Sequence, residues 1–128
     1  NSRGRDLQDR ATLSHLDTAR APYRSDARLA TPVTVPGGGA GPRRTLRNPA
    51  RPSDVVGEVV EATATEAKAA VAAAEPWRAP AATRAEVLRR AAYLVEAAEG
   101  ELLAILAREG GKALPDAVAE FRETVDFL

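Results

Sequence analysis

Between Val87 and Leu106 the apolar positions are Val87, Leu88, Ala91, Leu94, Val95, Ala98, Leu102, Ile105 and Leu106. That is the 3.6-residue period of a helix with one buried face. Thr83 and Glu86 form an S/T-x-x-E capping box and predict where this long helix opens. Gly100 falls inside the pattern, where glycine costs about 1 kcal/mol relative to alanine without ending a helix. Gly110-Gly111 does end it, because glycine takes the left-handed conformation that helix C-termini favour. Lys112 then reads as a last-turn cation facing the carbonyl end. Pro115 suits the first position of a further helix, whose stripe is Val118, Phe121, Val125 and Leu128.

Upstream the period changes. Thr63 and Glu66 make a second capping box and predict a short helix over residues 64–74, ended by Pro76 and Trp77. "RTLR" and "DVVGEVVEA" are β-prone runs joined by "NPARPS", which reads as a hairpin. "TPVTV", residues 31–35, predicts an edge strand, since Pro32 cannot donate to a central ladder. "PGGGAGP" follows as a flexible turn, and residues 1–30 hold one weak helical patch with Leu13 and Leu16 on one side. The expectation is an α+β fragment, mostly helical with a β-hairpin: residues 1–43 a mostly irregular linker, residues 44–128 the hairpin and three helices.

Composition thins the expected core. Hydrophobic residues are 45% of 128, but 28 positions are Ala, and aromatics are limited to Trp77, Tyr23, Tyr93, Phe121 and Phe127. Alanine removes little area from water, so the helical stripes are expected to want further cover. The chain starts at Asn1 and breaks off within a helical pattern at Leu128, so we expect it to be a piece of something larger, truncated at its C-terminus. It has no Cys, which excludes a disulfide framework or a Cys nucleophile within these residues. It shows no 18-residue apolar run and no signal peptide, so no membrane span is expected and a cytoplasmic location is. Residues 1–54 carry a balance of +5 and residues 55–128 a balance of −5. The basic arm scatters its Arg among Asp, Pro and Gly without aromatic interleaving, which reads as solvated linker and not as a specific nucleic-acid site.

The candidate motifs for chemistry fail one by one. A phosphate loop needs G-x-x-x-x-G-K-S/T, but Leu106 stands at the first glycine, Ala113 at the hydroxyl, and no strand leads in. "VPGGGAGP" is no dinucleotide fingerprint, because its third glycine would be Pro42 and no helix follows. His15, the sole histidine, sits in a polar setting with no partner nearby in sequence, and Glu96, Glu99 and Glu101 read as a solvated face balanced by Arg89 and Arg90. No catalytic residue and no metal ligand is assigned.

The ordered series "NPARPSDVVGEVVEATATEAKAAV", "WRAPAATRAEVLRRAAYLVEA" and "LLAILAREGGKALPDAVAEFRETVDFL" resembles the opening of an aldehyde dehydrogenase. More narrowly, "NSRGRDL" and the last 22 residues resemble bifunctional bacterial enzymes that fuse a proline dehydrogenase to an L-glutamate-γ-semialdehyde (1-pyrroline-5-carboxylate) dehydrogenase. The resemblance implies the N-terminal portion of an α/β cofactor-binding domain. It further implies NAD-dependent oxidation of the semialdehyde to glutamate in the complete protein, with FAD only if a proline dehydrogenase domain precedes it. The remainder of the domain would be the chief partner and the complete enzyme a homo-oligomer. The family places its nucleophilic Cys, oxyanion Asn, activating Glu and cofactor strands further along, so this segment is expected to be structural, inactive alone and without bound cofactor.

One residue role carries over. Read from its neighbours, Glu123 is a surface helix acid beside Arg122. The resemblance implies instead that Glu123, two positions before Val125-Asp126-Phe127, meets the ammonium group of the amino-acid semialdehyde. Two departures concern helix docking: the stretch from Thr63 to Trp77 is about one turn shorter than the family's, and Thr83 stands where the family has an acid. The alternative function is a stand-alone helical interaction module without enzymatic activity.

Overall fold

The computed structural model describes residues 1–128, the side chain of Pro36 excepted. Its elements are α1 (Arg10–Arg20), β1 (Arg28–Ala30), β2 (Arg43–Asn48), β3 (Arg51–Val60), α2 (Ala64–Ala72), α3 (Ala81–Ala97), α4 (Glu99–Glu109) and α5 (Leu114–Asp126), with short 3-10 turns at Ala21–Tyr23 and Pro36–Gly38. The α+β class with a hairpin and predominantly helical content is as expected.

The sheet has the order β1-β3-β2. β2 and β3 form the anticipated antiparallel hairpin, pairing Arg43 with Val60 and Leu46 with Gly57, with register shifts beyond Leu46. The turn is tighter than "NPARPS" suggested, with only Pro49 and Ala50 between the strands. Asn48 closes it by accepting the Ala50 N–H at 2.9 Å. The first strand differs from expectation. It lies at Arg28–Ala30, parallel to β3, and not at residues 31–35. Val33 there is 97% exposed. The parallel register with β3 decides the placement, and Arg28 is further fixed by ion pairs to Asp26 and Glu101.

The core sits between helices. Leu16 of α1, Leu103 of α4 and Ala117, Val118, Phe121 and Val125 of α5 are buried together. Part of the N-terminal 43 residues is therefore docked, since Leu16 is wholly inaccessible.

The Thr63–Glu66 capping box is present in both directions and opens α2 as expected. The Thr83–Glu86 box is not formed: α3 begins three residues earlier, after Pro80, and Thr83 lies inside it. Pro80 holds extended backbone, and Ala81 and Ala82, the best helix formers, propagate from it directly. The long helix is also two helices, broken at Ala98 (φ −93, ψ 15) before Gly100 is reached. That break shifts the apolar phase, so the fully buried side chain of α4 is Leu103, which the uninterrupted stripe omitted. Gly100 serves packing: a Cβ there would lie 2.2 Å from the Ala19 carbonyl oxygen of α1.

The Gly110-Gly111 corner is where expected, with Gly111 at φ +63. Lys112 corrects the expectation in part. Its N–H reaches the Leu106 carbonyl at 3.2 Å, but its ammonium group pairs with Glu120 on α5. α5 buries Val118, Phe121 and Val125; Leu128 lies past its end and is 37% exposed, so the predicted stripe stops one residue short.

Candidate functional site

α5 begins at Leu114-Pro115, where the missing proline N–H is one that the first turn leaves unbonded anyway. Its stripe faces the core, which rotates Glu123 to the exposed side. Two of the helix's other acids are engaged: Glu120 with Lys112, and Asp126 with Ser2, whose N–H and Oγ–H donate to its carboxylate at 2.5 and 2.9 Å. Arg122, the expected neighbour of Glu123, turns away and its Nε donates to Ser2 Oγ at 3.3 Å. Among the described residues Glu123 therefore has no side-chain hydrogen bond or ion pair. It is an anion with open capacity on a helix whose other face is fixed.

Beside the last turn of α5 lies a hollow of about 300 Å³ whose walls include Tyr93, Val125 and Leu128. Val87, Leu94 and Phe127 are also at least half exposed. Apolar side chains in such number on α3 and at the end of α5 make a face that a further layer of protein would cover.

The best-built polar centre was not anticipated. Arg108, at the end of α4, donates Nε and Nη2 to the Asp54 carboxylate of β3 at 3.2 and 2.7 Å. Its remaining donors reach the carbonyls of Tyr23 (3.3 Å), Asp26 (2.6 Å) and Val55 (3.2 Å). Asn48 of β2 adds a 3.0 Å bond to Asp54. One side chain thus ties α4 to the hairpin and to the segment leading into β1. The sequence reading assigned it no role. The available signal was its spacing of four from Ala104, which places it on the buried face once the break at Ala98 is known.

Arg108, followed by Asn48, holds the Asp54 carboxyl well below the ordinary carboxylate range. Hydrogen bonds from Thr63 and Ala40 lower the Glu66 carboxyl in the same direction. Both groups bind protons more readily when unfolded. Their contribution is complete above the unfolded carboxylate values near 4, and is lost as pH falls through the folded ones. Urea midpoints should be level from about pH 7 to 5 and fall steeply below about pH 4; a midpoint rising in acid would contradict this reading.

His15 is largely exposed, 3.9 Å from a Glu99 carboxylate that already receives Arg5 at 2.7 Å. Glu99 is thus a buried ion-pair partner, not part of a solvated face. The glycine-rich turn offers no cradle for a pyrophosphate, because the Ala40 N–H is taken by Glu66 at 3.0 Å and the N-terminus of α2 by its capping box. The residues of this turn do not fit a dinucleotide. Among the described residues no group of three or more metal-ligating side chains occurs, and no helix is long and apolar enough to cross a membrane.

Comparison with known proteins bears on these features. The family model described as "Aldehyde dehydrogenase family" matches residues 39–128. Bifunctional protein PutA of Escherichia coli is 41% identical over 133 residues, an alignment that covers all of this chain and 10% of that protein. The 1-pyrroline-5-carboxylate dehydrogenase of Bacillus pumilus is 41% identical over 86 residues, covering 63% of this chain and 17% of its own length. A Thermus 1-pyrroline-5-carboxylate dehydrogenase, solved with bound NAD, superposes with a TM-score of 0.81 at 30% identity, over 99% of this chain and 26% of that one. The chain spans about a tenth of the bifunctional relative and about a quarter of the solved structure.

Proposed function

Because the chain belongs to the aldehyde dehydrogenase family, we propose that it is the opening hairpin-and-helix part of a dehydrogenase that oxidises L-glutamate γ-semialdehyde to L-glutamate in proline catabolism. The observation that carries the reading is the superposition of nearly the whole chain on a 1-pyrroline-5-carboxylate dehydrogenase. The electron acceptor of the complete protein is NAD, held by residues outside this chain. FAD belongs to the complete protein only where a proline dehydrogenase domain precedes. Within this chain the work is structural, with one exception.

That exception is Glu123. An amino-acid semialdehyde carries an ammonium group, and a site that removes this group from water must oppose it with a carboxylate. Glu123 is exposed and unpaired on a helix anchored by Phe121 and Val125, so an incoming cation meets a free acceptor on a fixed support. The exposed face around Tyr93, Leu94 and Phe127 is the seat of the remainder of the domain, which would close the site over Glu123.

In the complete enzyme, Glu123→Ala should lower kcat/KM for the semialdehyde by roughly thirtyfold, the effect of about 2 kcal/mol for one charged hydrogen bond, mainly through KM. A simple aliphatic aldehyde should be processed as before. Equal loss for both aldehydes would make Glu123 a support of the fold; no change for either would make it an ordinary surface acid.

A further inference from the structure

Ser2 bridges two residues of α5 that lie one turn apart. Its N–H and Oγ–H donate to the two carboxylate oxygens of Asp126, at 2.5 and 2.9 Å, and its Oγ accepts Arg122 Nε at 3.3 Å. Residues four apart are neighbours on a helix surface, so Ser2 staples the turn that runs from Arg122 to Asp126. Glu123 belongs to that turn.

The bridge also settles the charge beside Glu123. Glu120 and Asp126 stand three positions before and after it. Acids at that spacing are neighbours that repel one another and compete for an incoming cation. Both are engaged from outside α5, Glu120 by Lys112 and Asp126 by Ser2. The Ser2 N–H, and after it the hydroxyl, hold the Asp126 carboxyl below its ordinary range. Glu123 is left as the free acid between two occupied ones.

Tethering of the N-terminal segment does not account for these contacts. Arg5 already secures it through Nε and Nη2 to the buried Glu99, at 2.7 and 2.5 Å, and the Arg3 N–H reaches Glu96 at 3.1 Å. Ser2 adds no apolar side chain to the core. What it adds is a fixed orientation for residues 122–126.

We propose that Ser2 is a positioning residue for the substrate. Through Asp126 and Arg122 it holds the last turn of α5 so that Glu123 presents its carboxylate to the ammonium group of the semialdehyde, an inference that rests on the role proposed above for Glu123. The staple acts where helices fray, since Glu123 lies near the C-terminal end of α5 and its carbonyl accepts only the Phe127 N–H, at 3.0 Å. A turn left unpinned must be ordered at the moment of binding, which weakens affinity and leaves the chemical step alone.

In the complete enzyme, Ser2→Ala should raise KM for the amino-acid semialdehyde about fivefold, the factor that one ordinary hydrogen bond represents. The kcat and the turnover of a simple aliphatic aldehyde should stay as they are. Ser2→Thr, which keeps the hydroxyl, should behave as the parent. Because Ser2 acts through Glu123, adding Ser2→Ala to Glu123→Ala should cost nothing further. A loss shared by both aldehydes, a loss in Ser2→Thr equal to that in Ser2→Ala, or a full further loss in the double variant would each overturn the proposal and make Ser2 a support of the fold. An unchanged KM in Ser2→Ala, beside the expected loss in Glu123→Ala, would overturn it while leaving the role of Glu123 standing. If Glu123→Ala itself spares the semialdehyde, both fall.

Discussion

Replacing Arg108 by leucine should lower the free energy of unfolding by about 4 kcal/mol, the range found when one member of a buried ion pair is removed. Arg108 is 9% exposed and Asp54 lies opposite it in the same enclosed space. Leucine would keep much of the volume but leave the carbonyls of Tyr23, Asp26 and Val55 without that donor, and Asp54 with only Asn48 and the distant Arg51. The loss is therefore one of unpaired polar groups and not of packing. The acid arm of the stability profile should flatten in the same variant, because the group that chiefly lowers the Asp54 carboxyl is gone. A loss under about 1 kcal/mol, or an unchanged acid arm, would show that Asn48 and water suffice for Asp54.

Gly100→Ala should destabilise by about 3 kcal/mol, although alanine is the better helix former. Propensity alone would add about 1 kcal/mol of stability at a helical site. Against it stands the Ala19 carbonyl, with its oxygen 2.2 Å and its carbon 2.5 Å from the new methyl. These are backbone atoms of a neighbouring helix and cannot rotate aside. α1 must lift from α4 and draw Leu16 out of the core. If the variant were more stable than the parent in urea, the close crossing of α1 and α4 would be refuted.

The legibility of the fold follows the range of each interaction. The hairpin, the Thr63–Glu66 box and the glycine corner depend on residues a few positions apart, and each was readable in sequence. The failures differ in range: the Thr83–Glu86 box lost to Pro80, Ala81 and Ala82 close by, while β1 and Arg108 needed distant partners. Nothing within residues 28–30 announces a strand; β3 makes them one. The break at Ala98 has no glycine or proline at the site, and it moved the core from the predicted stripe to Leu103. Arg108 was invisible as a hub because its four partner residues lie between Tyr23 and Val55 in the chain. For the candidate site, spacing alone put Glu123 off the apolar stripe, where it is. Its lack of a partner was not readable, since that required knowing that Arg122 turns to Ser2.

The strap formed by residues 2–5 also sets the path of mechanical load. Ser2 is held by Asp126, the Arg3 N–H by Glu96 at 3.1 Å, and Arg5 by Glu99. Tension applied between the two ends would reach these contacts before it reached the core. It would open them in series, from α5 to α3 to α4, each yielding alone in the manner of a zip. The three-stranded sheet would carry no force until the strap had let go. A tug arriving from before Asn1 would thus be felt first at the last turn of α5, three residues beyond Glu123.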